Sequence, residues 1–465
     1  MNSAFARWIE PRKQNVNHSK LRFSNQDIKK LLIPLVIEQV LTMLVGMVDT
    51  AMISYAGELA VSGVSLVDMI NAVFIYLFTA VATGGAIVVS QYLGYGQEEE
   101  SRKAANQVVS FSCFFGAVLM IAVMIGNRGL LSLLFGSVEE GVMTAAVTYL
   151  FVTALSYPFL AVYNACAALF RSMGNSKVTM KASLLMNGIN VVGNALAIFV
   201  LDAGVAGVAA ASVLSRIVAA AVLFALLTKK DRAISLNFKD LVSFNPSLLK
   251  KVLGIAIPNG VESGFFQICR VTMTSIIATF GTIQIAANGV TNSIEYLNTI
   301  MNSAAGLAIT TIVGQCVGAN DYDQADYYLR KLLRITATCS FFLCLGVAAA
   351  LPLIIKLYQL SPETIHYVYI LVLFHGFLTV ILGWPSGPFP TALRAAGDVR
   401  YSMYVAIIGL AFGRVFFSWL FAVKMNMQIY GMWLAMATHW GINAFGAYLR
   451  YRSGKWKEHR VITAR

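Results

Sequence analysis

Runs of about 20 uncharged apolar residues, the length that crosses about 30 Å of hydrocarbon, recur along the whole chain between short polar turns. Twelve such runs begin near Leu31, Ser62, Ala104, Val142, Val178, Val205, Val252, Ile285, Leu332, Thr364, Tyr401 and Ile429. The pattern predicts an all-α integral membrane protein of twelve transmembrane helices. The longest polar stretch inside the chain, TKKDRAISLNFKDLVSFNPSLLK at 228 to 250, reads as a linker.

The runs also repeat. Pro34 and Pro258, Glu38 and Glu262, Gly57 and Gly281, Gln91 and Gln315, and Gly94 and Gly318 all share one offset in the numbering, 224. LFRSMGNS (169 to 176) and ALRAAGDV (392 to 399) match at an offset of 223, pairing Arg171 with Arg394. The chain is therefore a duplicated six-helix unit, and because six is even the copies are parallel repeats about an axis along the membrane normal. The expected organisation is an N-terminal tail (1–30), an N-lobe (31–228), the linker (229–250), a C-lobe (251–452) and a C-terminal tail (453–465).

Composition agrees with lipid: 58% of the residues are hydrophobic and 12% charged, where a soluble domain carries roughly 25% charge. The net charge of +13 raises the question of a nucleic-acid partner. The placement of the 35 Lys and Arg argues against one. Only Arg128, Lys356 and Lys424 fall in the loops opposite the termini, and Arg216, Arg270 and Arg414 lie within spans; the rest flank the helices on the terminal side. By the positive-inside rule both termini are cytoplasmic, in a multi-pass protein of the cell membrane. The opening segment (1–30) lacks a cleavable signal pattern, so the first span is expected to remain. The six cysteines (113, 166, 269, 316, 339 and 344) have no zinc-type spacing and are expected to be free thiols. No cofactor motif is present, and YLGYGQ (92 to 97) lacks the GKS or GKT ending of a phosphate loop.

Ionisable groups at membrane depth are costly and mark function or pairing. Five acids lie within the spans, Glu38, Asp49, Asp68, Glu262 and Glu295, against three arginines. Glu38 and Asp49 share one face of the first helix, about 16 Å apart. Asp68 and Asn71 in the second span correspond to Asn292 and Glu295 in the eighth, and these pairs either line a substrate cavity or tie helices together. Asn187, Asn190 and Asn194 form one stripe on the fifth helix, and Ser212 comes to a similar depth on the sixth. With Asp49 they can coordinate a hard cation or share a proton, or zip helices together. WPSGPFP (384 to 390) predicts a broken tenth helix. Pro34 and Pro258 read equally as first-turn prolines or kinks. His375 and His439 read as buried hydrogen-bonded residues or proton carriers. Arg270 is too far along its helix to pair with Glu262.

These features resemble the multidrug and toxic compound extrusion (MATE) family of transporters, of the bacterial kind. The resemblance rests on MVDTAMISYAG (47 to 57), GGAIVVSQYLGYGQ (84 to 97), LFRSMGNS, INVVGNALAIF (189 to 199), GLAITTIVGQCVGAND (306 to 321) and ALRAAGD (392 to 398). It implies a secondary antiporter, not an enzyme, that exports organic, cationic and amphipathic compounds in exchange for Na+ or H+ through alternating access of two lobes. Asp49, Asn190, Asn194 and Ser212 match the coupling site, the first three as Na+ ligands if sodium is the ion. Glu38, Asp68, Asn71, Glu262, Gln267, Asn292 and Glu295 are the candidate cavity residues. Some members couple through a glutamate on helix 7 and an aspartate on helix 10; here Gln267 stands near the first position and helix 10 carries no acid between Thr364 and Gly397. The expected partners are a small-molecule substrate and membrane lipid, with a monomer as the default. The competing function is a flippase of the same superfamily for a lipid-linked anionic headgroup.

Overall fold

A computed structural model describes residues 21–136, 138–229, 232–356, 358 and 360–462, so most of the expected N-terminal tail and the last three residues lie outside the described part. Among the described residues there are helices and no strands. In chain order the main helices are α1 (Asn25–Ile53), α2 (Glu58–Tyr95), α3 (Glu98–Phe135), α4 (Glu140–Ala154), α5 (Tyr157–Ser172), α6 (Ser176–Phe199), α7 (Gly204–Leu227) and the short α8 (Phe238–Val242). There follow α9 (Pro246–Ala278), α10 (Thr282–Gly318), α11 (Tyr322–Ile355), α12 (Pro362–Leu378), α13 (Pro388–Ala396), α14 (Val399–Ile408) and α15 (Gln428–Arg452).

All twelve expected spans find a helical counterpart. Among the described residues nine are long and apolar enough on their own, and α4 with α5 makes a tenth that bends by 51°. The remaining two, α9 and α15, have the length but carry more polar residues, among them Glu262, Arg270, His439 and Asn443. The outward faces are apolar, with Ile125 84% and Leu133 83% exposed, as a lipid-facing surface requires.

Local chemistry explains where the helices start and break. Ser24 and Asp27 form a reciprocal cap at the head of α1: the Asp27 amide donates to Ser24 Oγ at 3.2 Å and the Ser24 amide to Asp27 Oδ2 at 2.9 Å. Pro34 and Pro258 are interior residues of α1 and α9 rather than first-turn prolines. Pro34 removes the amide that would bond the Lys30 carbonyl. The Ser176 hydroxyl donates there instead, to Lys30 O at 3.2 Å and Leu31 O at 2.6 Å. The three prolines of WPSGPFP break the tenth span as expected: α12 passes through a π-helical stretch, Thr379–Gly383, and a three-residue turn before α13. The span after it is π-helical over Gly409–Phe416 and Trp419–Lys424.

The chain packs as two compact units, Lys29–Gly260 (the N-unit) and Val261–Arg465 with Met1–Ile28 (the C-unit). The boundary falls inside α1 and α9 rather than in the polar seam at 229–250. Hydrogen bonds give the reason. In the N-unit the seam is fastened to α3: the Asn237 amide donates to Asn106 Oδ1 (3.0 Å), the Asn245 amide to Gln107 Oε1 (2.9 Å), and Ser110 Oγ to Leu241 O (2.6 Å). In the C-unit the segment leading into α1 is fastened to α11. The Arg22 amide donates to Gln324 Oε1 (2.9 Å), the Phe23 amide to Tyr328 OH (2.7 Å) and Lys331 Nζ to Asn25 Oδ1 (2.7 Å). Gln107 and Lys331 occupy the same place in the register of the repeat, so both halves use one fastening position.

The C-unit core gathers Met273, Leu371, Ile429, Trp433 and Met436 in one cluster and Ile294, Leu351 and Val368 in another. After α15 the chain folds back: Trp456, 3% exposed, stacks on Tyr451 at 6.0 Å, and Arg450 bonds both Asp398 (2.5 Å) and His459 (2.8 Å). Cys166, Cys269, Cys316 and Cys344 are buried, whereas Cys113 is exposed on α3, and all six are free thiols.

Candidate functional site

Asp49 lies in the last turns of α1, Asn190 and Asn194 one turn apart on α6, and Ser212 on α7. The structure brings all four together within the N-unit. Asn194 Nδ2 donates to Asp49 Oδ1 at 2.9 Å. One amide atom of Asn190 lies 2.9 and 2.8 Å from the two Asp49 oxygens and the other 3.0 Å from Ser212 Oγ, and assigning the nitrogen to the Asp49 side satisfies both neighbours. The carboxylate thus accepts from two side-chain amides, and bonds to a charged acceptor are worth about 1.5–3 kcal/mol each. Asn194 Oδ1 is buried and unpartnered among the described residues, leaving one free acceptor beside the acid. Asn187, the third member of the stripe, bonds Ser183 at 3.4 Å instead.

Around this core stand Arg216, Asp68 and Asn71, with partners that the sequence did not single out. Arg216, one turn beyond Ser212, donates to Ser156 Oγ at 2.7 Å, at the elbow between α4 and α5. It lies in electrostatic reach of both Asp49 and Asp68. Asn71 accepts from Tyr157 OH at 2.8 Å, and Asp68 lies beside it on the same helix. Nothing in the local sequence marks these partners, because each comes from a different helix.

Glu38 does not join Asp49. It faces Arg171 Nη1 at 3.4 Å and accepts from Thr179 Oγ1 at 2.8 Å. Its repeat partner Glu262 is held in the C-unit by Arg394, whose Nη1 donates to both oxygens at 2.8 and 2.9 Å. The signal was present in the paired motifs, since Glu38/Glu262 and Arg171/Arg394 are matching positions. Two of the five interior acids are therefore neutralised inside their own units, and the excess of acid over base that the sequence suggests disappears.

In the C-unit Glu295 Oε1 stands 3.9 Å from His375 Nε2, and Asn298 Nδ2 meets His375 Nδ1 at 3.2 Å. His439 meets Asn443 at 3.1 Å. Both histidines are buried and hydrogen-bonded. Gln267 is half-buried with Oε1 unpartnered, and Asn292 is half-buried on α10. Among the described residues no cluster of three His, Cys, Asp or Glu could hold a metal ion, so a cation at Asp49 would have to be held with amide and hydroxyl oxygens.

The MatE family model matches residues 34–196 and 258–420, two segments set apart by the same offset as the internal repeat. The chain is 25% identical over 439 residues to the uncharacterized transporter YisQ of Bacillus subtilis, covering 91% of this chain and 93% of that one. It is 25% identical over 455 residues to the probable multidrug resistance protein NorM of Thermotoga maritima, covering 94% of each. A solved outward-facing multidrug resistance MATE family transporter of the MOP superfamily shares the fold with a TM-score of 0.87 at 19% identity, covering 93% of this chain and 96% of that one.

Proposed function

Because this chain belongs to the MatE family of multidrug efflux transporters, we propose that it is a secondary antiporter exporting organic, cationic amphipathic compounds in exchange for an inward-moving cation at Asp49. The observation that carries this reading is the Asp49 constellation, one carboxylate held by two amides and backed by Ser212 in the N-unit. A carboxylate at that depth is stable as an anion only while such donors surround it, and an arriving cation competes for the same oxygens. If the cation and the drug each weaken the other's hold, the two flows are coupled. Each charge moved through 100 mV supplies about 2.3 kcal/mol.

The coupling ion is a proton in this reading. With both amides presenting N–H groups to Asp49, a proton need displace only one donor, whereas Na+ would need the Asn190 oxygen turned toward it beside the free Asn194 Oδ1. Alternating access of the two lobes and a monomeric state complete the proposal, with a cell-membrane location and cytoplasmic termini, the last supported by the charge distribution of the loops.

The test is efflux of ethidium from vesicles carrying the protein, under separate proton and sodium gradients, with Asp49→Asn beside the wild type. Gradient-driven efflux that the variant loses while still reaching the membrane supports the reading. If neither gradient moves the dye in the wild type, the antiporter reading fails and the headgroup flippase takes its place.

A further inference from the structure

Asn194 donates to Asp49 at 2.9 Å, and Ser418 donates to the Met273 sulfur at 3.3 Å; both contacts join residues 145 positions apart. Met273 and Ser418 occupy the places of Asp49 and Asn194 in the register of the repeat, so the second contact is the counterpart of the first. The residue in the same register as Asn190 is Arg414. The duplicated site has therefore inverted its chemistry: the carboxylate has become a thioether and one of its amides a guanidinium.

The surrounding charges follow. With the Glu38–Arg171 and Glu262–Arg394 pairs cancelling, the spans of the N-unit keep Asp49 and Asp68 against Arg216. The spans of the C-unit keep Arg270, exposed on α9, and the half-buried Arg414 against Glu295, which lies in electrostatic reach of both. Cys269 on α9, His375 on α12 and His439 on α15 all lie in electrostatic reach of Arg414. Among the described residues no carboxylate is hydrogen-bonded to, or ion-paired with, either guanidinium. Arg414 is carried near the middle of its span on the π-helical stretch Gly409–Phe416, a distortion that recurs at functional sites. A guanidinium at that depth with donors to spare is costly unless an anion meets it, and its planar fork fits a carboxylate by two parallel bonds.

We propose that Arg414, supported by Arg270, is an anion-binding subsite of the C-unit, and that the preferred cargo carries a carboxylate as well as a cationic group. The inference rests on the export reading above and narrows its substrate class from cations to amphoteric molecules. The purely cationic compound is then the poorer ligand.

Two dyes with one ring system separate the cases: rhodamine 110 has a free carboxylate, and rhodamine 123 is its methyl ester. Binding of each to the purified full-length protein is read by fluorescence anisotropy. The wild type should bind rhodamine 110 about tenfold more tightly, the effect of one charge-assisted bond. Arg414→Gln should erase that preference while leaving rhodamine 123 within about twofold, and Arg414→Lys, a point charge without the fork, should fall between. A wild type that binds the ester as tightly as the acid overturns the subsite without reference to any variant. So does a preference that survives Arg414→Gln. Gradient-driven rhodamine 123 efflux by Asp49→Asn keeps the two readings apart: coupling that persists in the variant sinks the Asp49 reading alone, and dye preference judges Arg414 alone.

Discussion

Arg394 donates to both carboxylate oxygens of Glu262, and at the matching positions of the other half Arg171 meets Glu38. Each pair closes the first helix of a half onto the fourth span of that half, four residues after an interior proline. The side chains are 19% and 22% exposed in the Glu262 pair, so little solvent remains to stabilise either charge alone. Arg394→Met should lower stability by about 3 kcal/mol, and Arg394→Met with Glu262→Gln should recover much of it, because the penalty is the orphaned charge rather than the lost bond. Thermal melting of the purified wild type and both variants decides this; equal melting of single and double variants would remove the pair from the account.

Asn194 donates directly to the Asp49 carboxylate. Asn194→Leu should leave the protein in the membrane and cut coupled ethidium efflux roughly tenfold or more, the range expected for one bond to a charged acceptor. Asn187→Leu, on the same stripe but bonded to Ser183, should cost less than about threefold. Comparable losses in the two variants would mean that the whole stripe, and not its Asp49 end, carries the coupling.

The donor orientation at Asp49 makes the ion specificity testable. In sodium-free vesicles a proton gradient alone should drive full efflux, and adding an inward sodium gradient should not raise it. Stimulation by sodium at constant pH would show that Asn190 does turn its oxygen toward a metal ion.

Gly397 has φ +103° and the His459 carbonyl would collide with any Cβ there, whereas Gly174, its counterpart in the other half, has φ +76° and open space. Both alanine substitutions bear the left-handed backbone cost of about 1–2 kcal/mol. Gly397→Ala should in addition lift the tail that carries Trp456 and expose the chain after Gly454 to protease. Equal protease resistance in the two variants would show that the tail is held without Gly397.

The sequence displayed what is local or periodic. The twelve runs, the register of the repeat and the Asp49, Asn190 and Asn194 spacing all depend on one helix at a time, or on comparing one half with the other. What it concealed depends on contacts across 60 positions or more. Arg171 and Arg394 looked like ordinary flanking charges because their glutamates lie 133 and 132 positions away. Arg216 gave no hint of Ser156, since an arginine beside a helix elbow has no sequence signature. The packing boundary inside α9 was equally hidden: a polar seam reads as a free linker until Asn106, Gln107 and Ser110 are seen to hold it.

The fastening of the opening segment to α11 has a consequence for biosynthesis. Arg22 leaves the ribosome 302 positions before its acceptor Gln324, and Asn25 leaves it 306 positions before Lys331, which bonds it. At roughly 5–20 residues per second, the head of α1 waits on the order of tens of seconds for its binding partner to be made. The N-unit can complete its packing in that interval, while the C-unit can close only after the nascent chain has supplied α11. The segment synthesised first is among the last to be buried.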